Sequence, residues 1–344
     1  MIKQKSLLII LFALLFHSCQ KEDFSKSGII NDHFFLQSDG QNMPVTVAGN
    51  LDPGKLLLIV HGGPGGNALA YRNKYVKANV ESEFAVVYWY QRYSGNSQGN
   101  SGDTHISVYR NDLRKLIQLL KNIYGDDKKI YLFAHSWGGF LAPYFLVHEE
   151  NQALVDGWIQ VGGAHDYALN DSLTHQMLRS IGKQEIEAGN NLKEWEPIVE
   201  WCETNDHNGS KNAAKLNRYA NFAETLIHEI ERPDIFGSDL SIMLANHISI
   251  TSGLANSLAS NYYDITQPAY GIKLKTDLHK ITLPTLLLWG KYDFVCPTGL
   301  MDELMEHLEN TAPESHIFEK AGHAPMYNEP ELFWETVIRF VTNH

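Results

Sequence analysis

An α/β fold is what this sequence predicts, with a mostly parallel central sheet, helices on both of its faces and a mostly helical cap insertion. Three observations carry the prediction. Apolar runs of strand length alternate with helical patterning over residues 29–165. The alternation resumes over 276–344. The stretch between them, 166–275, breaks the rhythm with helices and loops, so 29–165 and 276–344 form the core and 166–275 the cap.

Each element has its own signal. Leu56 to Val60 is a short apolar run that stops at a glycine-rich loop, and Phe84 to Tyr90 is rich in Val and aromatics; both read as strands. Residues 106–124 carry Val108, Leu113, Leu116, Ile117, Leu120 and Ile123 at helical spacing, and Gly125-Asp126-Asp127 ends that helix. Ile130 to Ala134 and Leu154 to Val161 read as strands on either side of a helix from Gly138 to His148. Beyond the cap, Leu286 to Trp289 is a buried strand, 298–309 a helix, Ser315 to Phe318 a strand and 329–342 a closing amphipathic helix. No internal repeat or low-complexity segment interrupts the pattern.

The composition, 44% hydrophobic and 20% charged over 344 residues, excludes a mostly disordered, collagen-like or coiled-coil chain and is ample for a core without staples. A net charge of −12 with no Lys/Arg-rich run argues against nucleic-acid binding, because such a surface repels phosphate backbones. The N-terminus reads as a targeting segment. Lys3 and Lys5 precede the unbroken apolar run Leu7 to Phe16, which is shorter than the ~20 residues a spanning helix needs. A buried N-terminal helix would fit poorly with the polar tract that follows. Leu15-Phe16-His17-Ser18-Cys19 resembles a bacterial lipobox, which implies a signal peptide over 1–18, lipid attachment at Cys19 and a short tether over 19–28. The tract Gln20-Lys21-Glu22-Asp23 is similar to export signals of surface lipoproteins in some Gram-negative bacteria. The expectation is an exported protein anchored on an outer membrane or cell surface. Cys202 and Cys296 remain; an exported compartment permits a disulfide, and two buried thiols fit equally well. No spacing reads as a metal site, and no cofactor is implied.

The chemistry concentrates where apolar strands end. Ile130 to Ala134 runs into His135-Ser136-Trp137-Gly138-Gly139, a serine between small residues with a helix behind it. A nucleophile elbow needs this order, since its turn admits only small side chains two positions before and after the serine. An N-cap serine is the plainer reading of this stretch taken alone. A serine hydroxyl needs a base, and the base needs an acid to fix its tautomer. Asp293 follows the strand at 286–289 and His323 follows the strand at 315–318, in the order Ser, Asp, His. His61-Gly62-Gly63-Pro64-Gly65-Gly66 after Val60 reads as an oxyanion loop, with the N–H groups of Gly63 and Trp137 as donors. A phosphate loop fails, because Asn67-Ala68 stands where Gly-Lys-Ser/Thr or a third Gly is required.

HGGPGG at 61–66, AHSWGG at 134–139, WGKYDFVCP at 289–297 and AGHAP at 321–325 resemble the alpha/beta-hydrolase superfamily, in particular its prolyl aminopeptidase (proline iminopeptidase, peptidase S33) branch. Tyr88 to Ser97 is similar to that branch's Trp-Asp-Gln-Arg-Gly-x-Gly-x-Ser segment, with Tyr90 for its Asp and Tyr93 for a Gly. The resemblance implies Ser136 as nucleophile, Asp293 as orienting acid and His323 as base beneath a helical cap. The cap lacks the branch's Trp-Ser-x-Trp-Glu segment; Tyr219 to Glu224 echoes it, which makes Glu224 the candidate anchor for a substrate amine and a solvated helix face its plainer reading. The expected function is a serine hydrolase that releases N-terminal residues from short peptides through an acyl-enzyme. A carboxylesterase or lipase-like hydrolase of small esters and a non-catalytic binding lipoprotein are the alternatives. A carboxylate-nucleophile enzyme on the same scaffold is disfavoured by Ser136.

Overall fold

The computed structural model describes residues 24–99, 104–148, 150–207, 210–234 and 266–344. The signal segment, Cys19 and residues 235–265 of the cap lie outside the described residues. Among the described residues nine strands form one sheet: β1 (Ile29–Ser38), β2 (Gln41–Asn50), β3 (Lys55–Val60), β4 (Ala85–Trp89), β5 (Gln98–Gly99), β6 (Lys129–His135), β7 (Gly157–Val161), β8 (Thr285–Gly290) and β9 (Glu314–Phe318). Their spatial order is β1-β2-β4-β3-β6-β7-β8-β9, with β5 paired to β2. All pairs from β4 to β9 are parallel, and β1, β2 and β5 add an antiparallel edge.

The strand runs read as continuously apolar because both faces of the sheet are covered. Successive side chains point to opposite faces. Leu56, Leu58 and Val60 of β3 and Ile130, Leu132 and Ala134 of β6 therefore join the core beneath helices α1 (Ile106–Tyr124) and α2 (Gly138–Leu146). Leu57, Ile59, Tyr131 and Phe133 join the opposite core, which the C-terminal helix covers with Phe333, Trp334, Val337 and Phe340. The β1–β2 hairpin turns at Asp39 and Gly40, both at positive φ.

Between β7 and β8 the chain builds α3 (Tyr167–Glu187), α4 (Leu192–Thr204) and α5 (Ser210–Leu226). Leu178, Trp195, Ile198, Trp201, Leu216 and Ala223 of these helices form a third apolar cluster, which Phe294 of the core joins. The helix Gly299–His307, α6, separates β8 from β9, and Pro330–Asn343 is α7. Cys202 and Cys296 are both buried free thiols, so no disulfide links cap to core. Phe24, expected to lie in a polar tether, packs edge-on against Phe34 and Tyr124 at 5.6 and 6.4 Å, and Gly28 N–H bonds Asp52 Oδ1 at 2.7 Å. An aromatic ring partly removed from water holds Phe24 to the body of the fold.

Candidate active site

The parallel register brings the C-terminal ends of five strands to one edge: Val60 pairs Ala134, His135 pairs Val161, Val161 pairs Leu288 and Gly290 pairs Phe318. In open α/β sheets this edge is where ligands bind. Every residue that the sequence singled out in the core follows one of these ends.

Ser136 follows β6 directly at a φ of +56°. A non-glycine residue in that left-handed region costs about 1–3 kcal/mol, and such strain persists where the surroundings over-determine it. Here Ser136 N–H bonds Val161 O at 3.1 Å, while Ser136 O accepts from Gly139 and Ala164 at 2.8 and 3.2 Å. The glycine two positions on is required by close approach, because a methyl at Gly138 would collide with the Val60 carbonyl. Ser136, Trp137 and Gly63 line one cavity, together with cap residues from α3 and α5.

Asp293 is fully buried beyond β8. Its Oδ1 accepts the N–H groups of Val295 and Cys296 at 3.0 and 2.6 Å, and both carboxylate oxygens face His323 Nδ1, at 3.1 and 3.0 Å. This geometry places the proton on Nδ1 and leaves Nε2 free to accept one. Burial pulls the His323 pKa down, but the Asp293 charge and hydrogen bond outweigh it with help from Glu224, so the net direction is upward.

Glu224 is placed differently from the amine anchor expected of it. It is not among the side chains that line the cavity with Ser136. Its carboxylate accepts the backbone N–H of His323 at 3.1 Å to each oxygen and that of Phe294 at 3.2 Å, tying cap helix α5 to both core loops. Burial and then the neighbouring Asp293 charge push its carboxyl up to about 7.

Three residues that sequence reasoning missed frame the site. Gln91 Nε2 donates to His61 O at 3.0 Å, Gln91 N–H donates to His61 Nε2 at 3.2 Å, and Gln91 Oε1 accepts from Trp137 Nε1 at 3.0 Å. One side chain thus joins the glycine loop to the elbow. Tyr71 Oη accepts the Gly62 N–H at 3.2 Å and donates to His135 Nδ1 at 2.7 Å; His135 Nε2 then donates to His323 O at 2.9 Å. Burial holds His61 down to about 4 and His135 down to about 3, so both stay neutral in these roles. Only the place of Gln91 inside the Tyr88 to Ser97 segment could have flagged it. Among the described residues no group of three or more His, Cys, Asp or Glu side chains is arranged to hold a metal ion.

Comparison with known proteins agrees with this architecture. The chain is 25% identical over 295 residues to a probable aminopeptidase of Bacillus subtilis, covering 84% of this chain and 89% of that one. It is 25% identical over 299 residues to epoxide hydrolase 3 of Mus musculus, covering 86% and 72%. The crystal structure of proline iminopeptidase from Mycobacterium smegmatis superposes with a TM-score of 0.64 at 15% identity, over 92% of this chain and 98% of that one. The sequence model described as alpha/beta hydrolase fold matches residues 55–330, and the chain belongs to that family.

Proposed function

We propose that this chain is an exported serine hydrolase that cleaves an amide or ester through an acyl-enzyme. The observation that carries the reading is Ser136: a serine held at a φ of +56° on the strand-to-helix turn, facing a cavity, with the His323–Asp293 pair on neighbouring loops. A relative at 25% identity bears the name epoxide hydrolase, so the family alone does not choose the chemistry; a serine at the elbow supports acyl transfer.

In this reading Ser136 Oγ attacks the acyl carbon and its proton passes to His323 Nε2. Asp293 stabilises the imidazolium through Nδ1–H. Negative charge grows on the acyl oxygen, where the N–H groups of Gly63 and Trp137 receive it; one such donor is worth about 3 kcal/mol. His323 then gives its proton to the leaving group, and water repeats the attack with the same base. The aminopeptidase relative and the cap over the cavity favour a short peptide with a free N-terminus as substrate. Lipid on Cys19 would keep the enzyme on a membrane facing outward.

A panel of aminoacyl arylamides and short-chain nitrophenyl esters tests the proposal. Turnover by the wild type and a loss of about 10⁴-fold or more in Ser136→Ala are expected. Strong ester turnover with no arylamide turnover would exclude the peptidase reading and keep the hydrolase. Wild-type rates that Ser136→Ala leaves unchanged would remove the hydrolase itself.

A further inference from the structure

The cap supplies the cavity with a charge. Tyr167, Asn170, Asp171 and Thr174 recur at the spacing of one helix face of α3, and this face lines the cavity beside Ser136. Of the described side chains lining it, Asp171 is the only one with a formal charge; the others are apolar, hydroxyl, thiol or amide groups. Asp171 is only 9% exposed, and its carboxylate accepts a hydrogen bond from Tyr270 Oη at 2.8 Å. A buried carboxylate is costly unless a positive group pairs with it, and a phenol is neutral. Asn170 is buried to the same degree in the same wall, and its Oδ1 has no hydrogen-bond partner. The Asp171 carboxylate therefore has neutral hydrogen-bond partners in Tyr270 and Asn170, and a positive charge is left to be supplied. Burial pushes the Asp171 carboxyl up to about 6, against the Tyr270 hydrogen bond, the pull of His207 and the Asn170 hydrogen bond, which leaves it mostly ionised at neutral pH.

We propose that Asp171, held by Tyr270 and Asn170, forms the subsite that receives a cationic nitrogen in the acyl portion of the substrate. This deepens the hydrolase reading and rests on it, since the subsite and Ser136 share the cavity. It also gives the charge-reading role to α3 rather than to Glu224 of α5, whose oxygens are engaged with the backbone of the catalytic loops. An ammonium fits because it carries the missing charge and up to three donors, and a planar amide or a hydroxyl lacks the charge.

The test separates binding from turnover. Full-length protein in detergent, as Ser136→Ala, is titrated with alaninamide and with propionamide, which differ only in the ammonium. Alaninamide should bind about tenfold or more tightly than propionamide, Asp171→Asn should abolish the difference, and Asp171→Glu should restore part of it. In the wild-type background Asp171→Asn should raise KM for aminoacyl arylamides with kcat little changed, while fluorophosphonate labelling of Ser136 stays at the wild-type level. Equal affinity for the two amides, or a preference that Asp171→Asn leaves intact, overturns the subsite whatever the enzyme hydrolyses. Absence of labelling and turnover in the wild type, with the amide preference present, would instead remove the hydrolase reading and leave the cation subsite standing.

Discussion

The carboxylate of Glu224 accepts the backbone N–H of His323, with both oxygens 3.1 Å from the nitrogen. Because Glu224 also takes the Phe294 N–H, one cap residue fixes the loops that carry Asp293 and His323. The backbone of Gly322 gives it room: a methyl there would lie 2.5 Å from Glu224 Oε2. The cap is thereby joined to the placement of His323 as well as to the walls of the cavity.

That contact sets a pH dependence. Ionised Glu224 favours the imidazolium of His323. Glu224→Gln removes this charge, so the acid limb of kcat/KM should move to lower pH. A pH–rate profile of the two proteins checks this, and a limb that stays put or moves up contradicts it. Stability has its own sign. The folded carboxyl, near 7, lies above its ordinary value of 4.5, so its favourable contribution is present below 4.5 and is lost as pH rises through about 7. The stability of the Gln variant relative to wild type should therefore rise between these values, read from urea midpoints.

Arg92 and Asp112 are both fully buried, and their bidentate contact measures 2.6 and 3.0 Å. Arg92 follows Gln91, the residue that joins the glycine loop to the elbow. Asp112→Ala would leave a guanidinium buried with one fewer partner, at a cost of about 3–5 kcal/mol. Denaturant unfolding measures it, and a loss below about 1 kcal/mol, the range of an exposed pair, would mean that the charge finds water.

Gly162 lies at a φ of +46°, and a methyl there would stand 2.7 Å from Asp293 Oδ2 and 3.3 Å from His323 Nδ1. Gly162→Ala should displace the Asp293–His323 pair and, in the proposed mechanism, lower kcat about tenfold or more with a smaller effect on KM, because positional errors near 1 Å are amplified in the transition state. Steady-state kinetics decide this. A change confined to KM would locate the fault in binding.

Cys19→Ala should release the protein from membranes with its specific activity unchanged, since the lipobox resemblance assigns that thiol to the anchor alone. Fractionation of cells producing each form provides the measurement. Persistent membrane association would contradict the lipid anchor.

Much of the fold was legible because strands covered on both faces are apolar at every position, as in Leu56 to Val60. The β1–β2 hairpin was not read: its outer strand leaves Asn31, His33 and Gln37 outside the core and so lacks a strong apolar signal. Ser136, Asp293 and His323 could be named because each stands just beyond a readable strand, and Asp293 and His323 meet in a hydrogen bond. Tyr71, His135 and Gln91 could not, since their partners lie 9 to 188 residues away and only the closed sheet edge brings them together. Asp171 was hidden for a different reason. Charged residues on a helix usually face water, and only the packed cap turns this face of α3 inward.

In the proposed mechanism Ser136 is a nucleophile made reactive by His323. Intact-mass and peptide analysis after treatment with a fluorophosphonate tests it most directly. One adduct is expected, located on Ser136, absent from Ser136→Ala and strongly slowed in His323→Ala. A folded wild-type protein that takes no adduct, or takes it equally without Ser136, would contradict it.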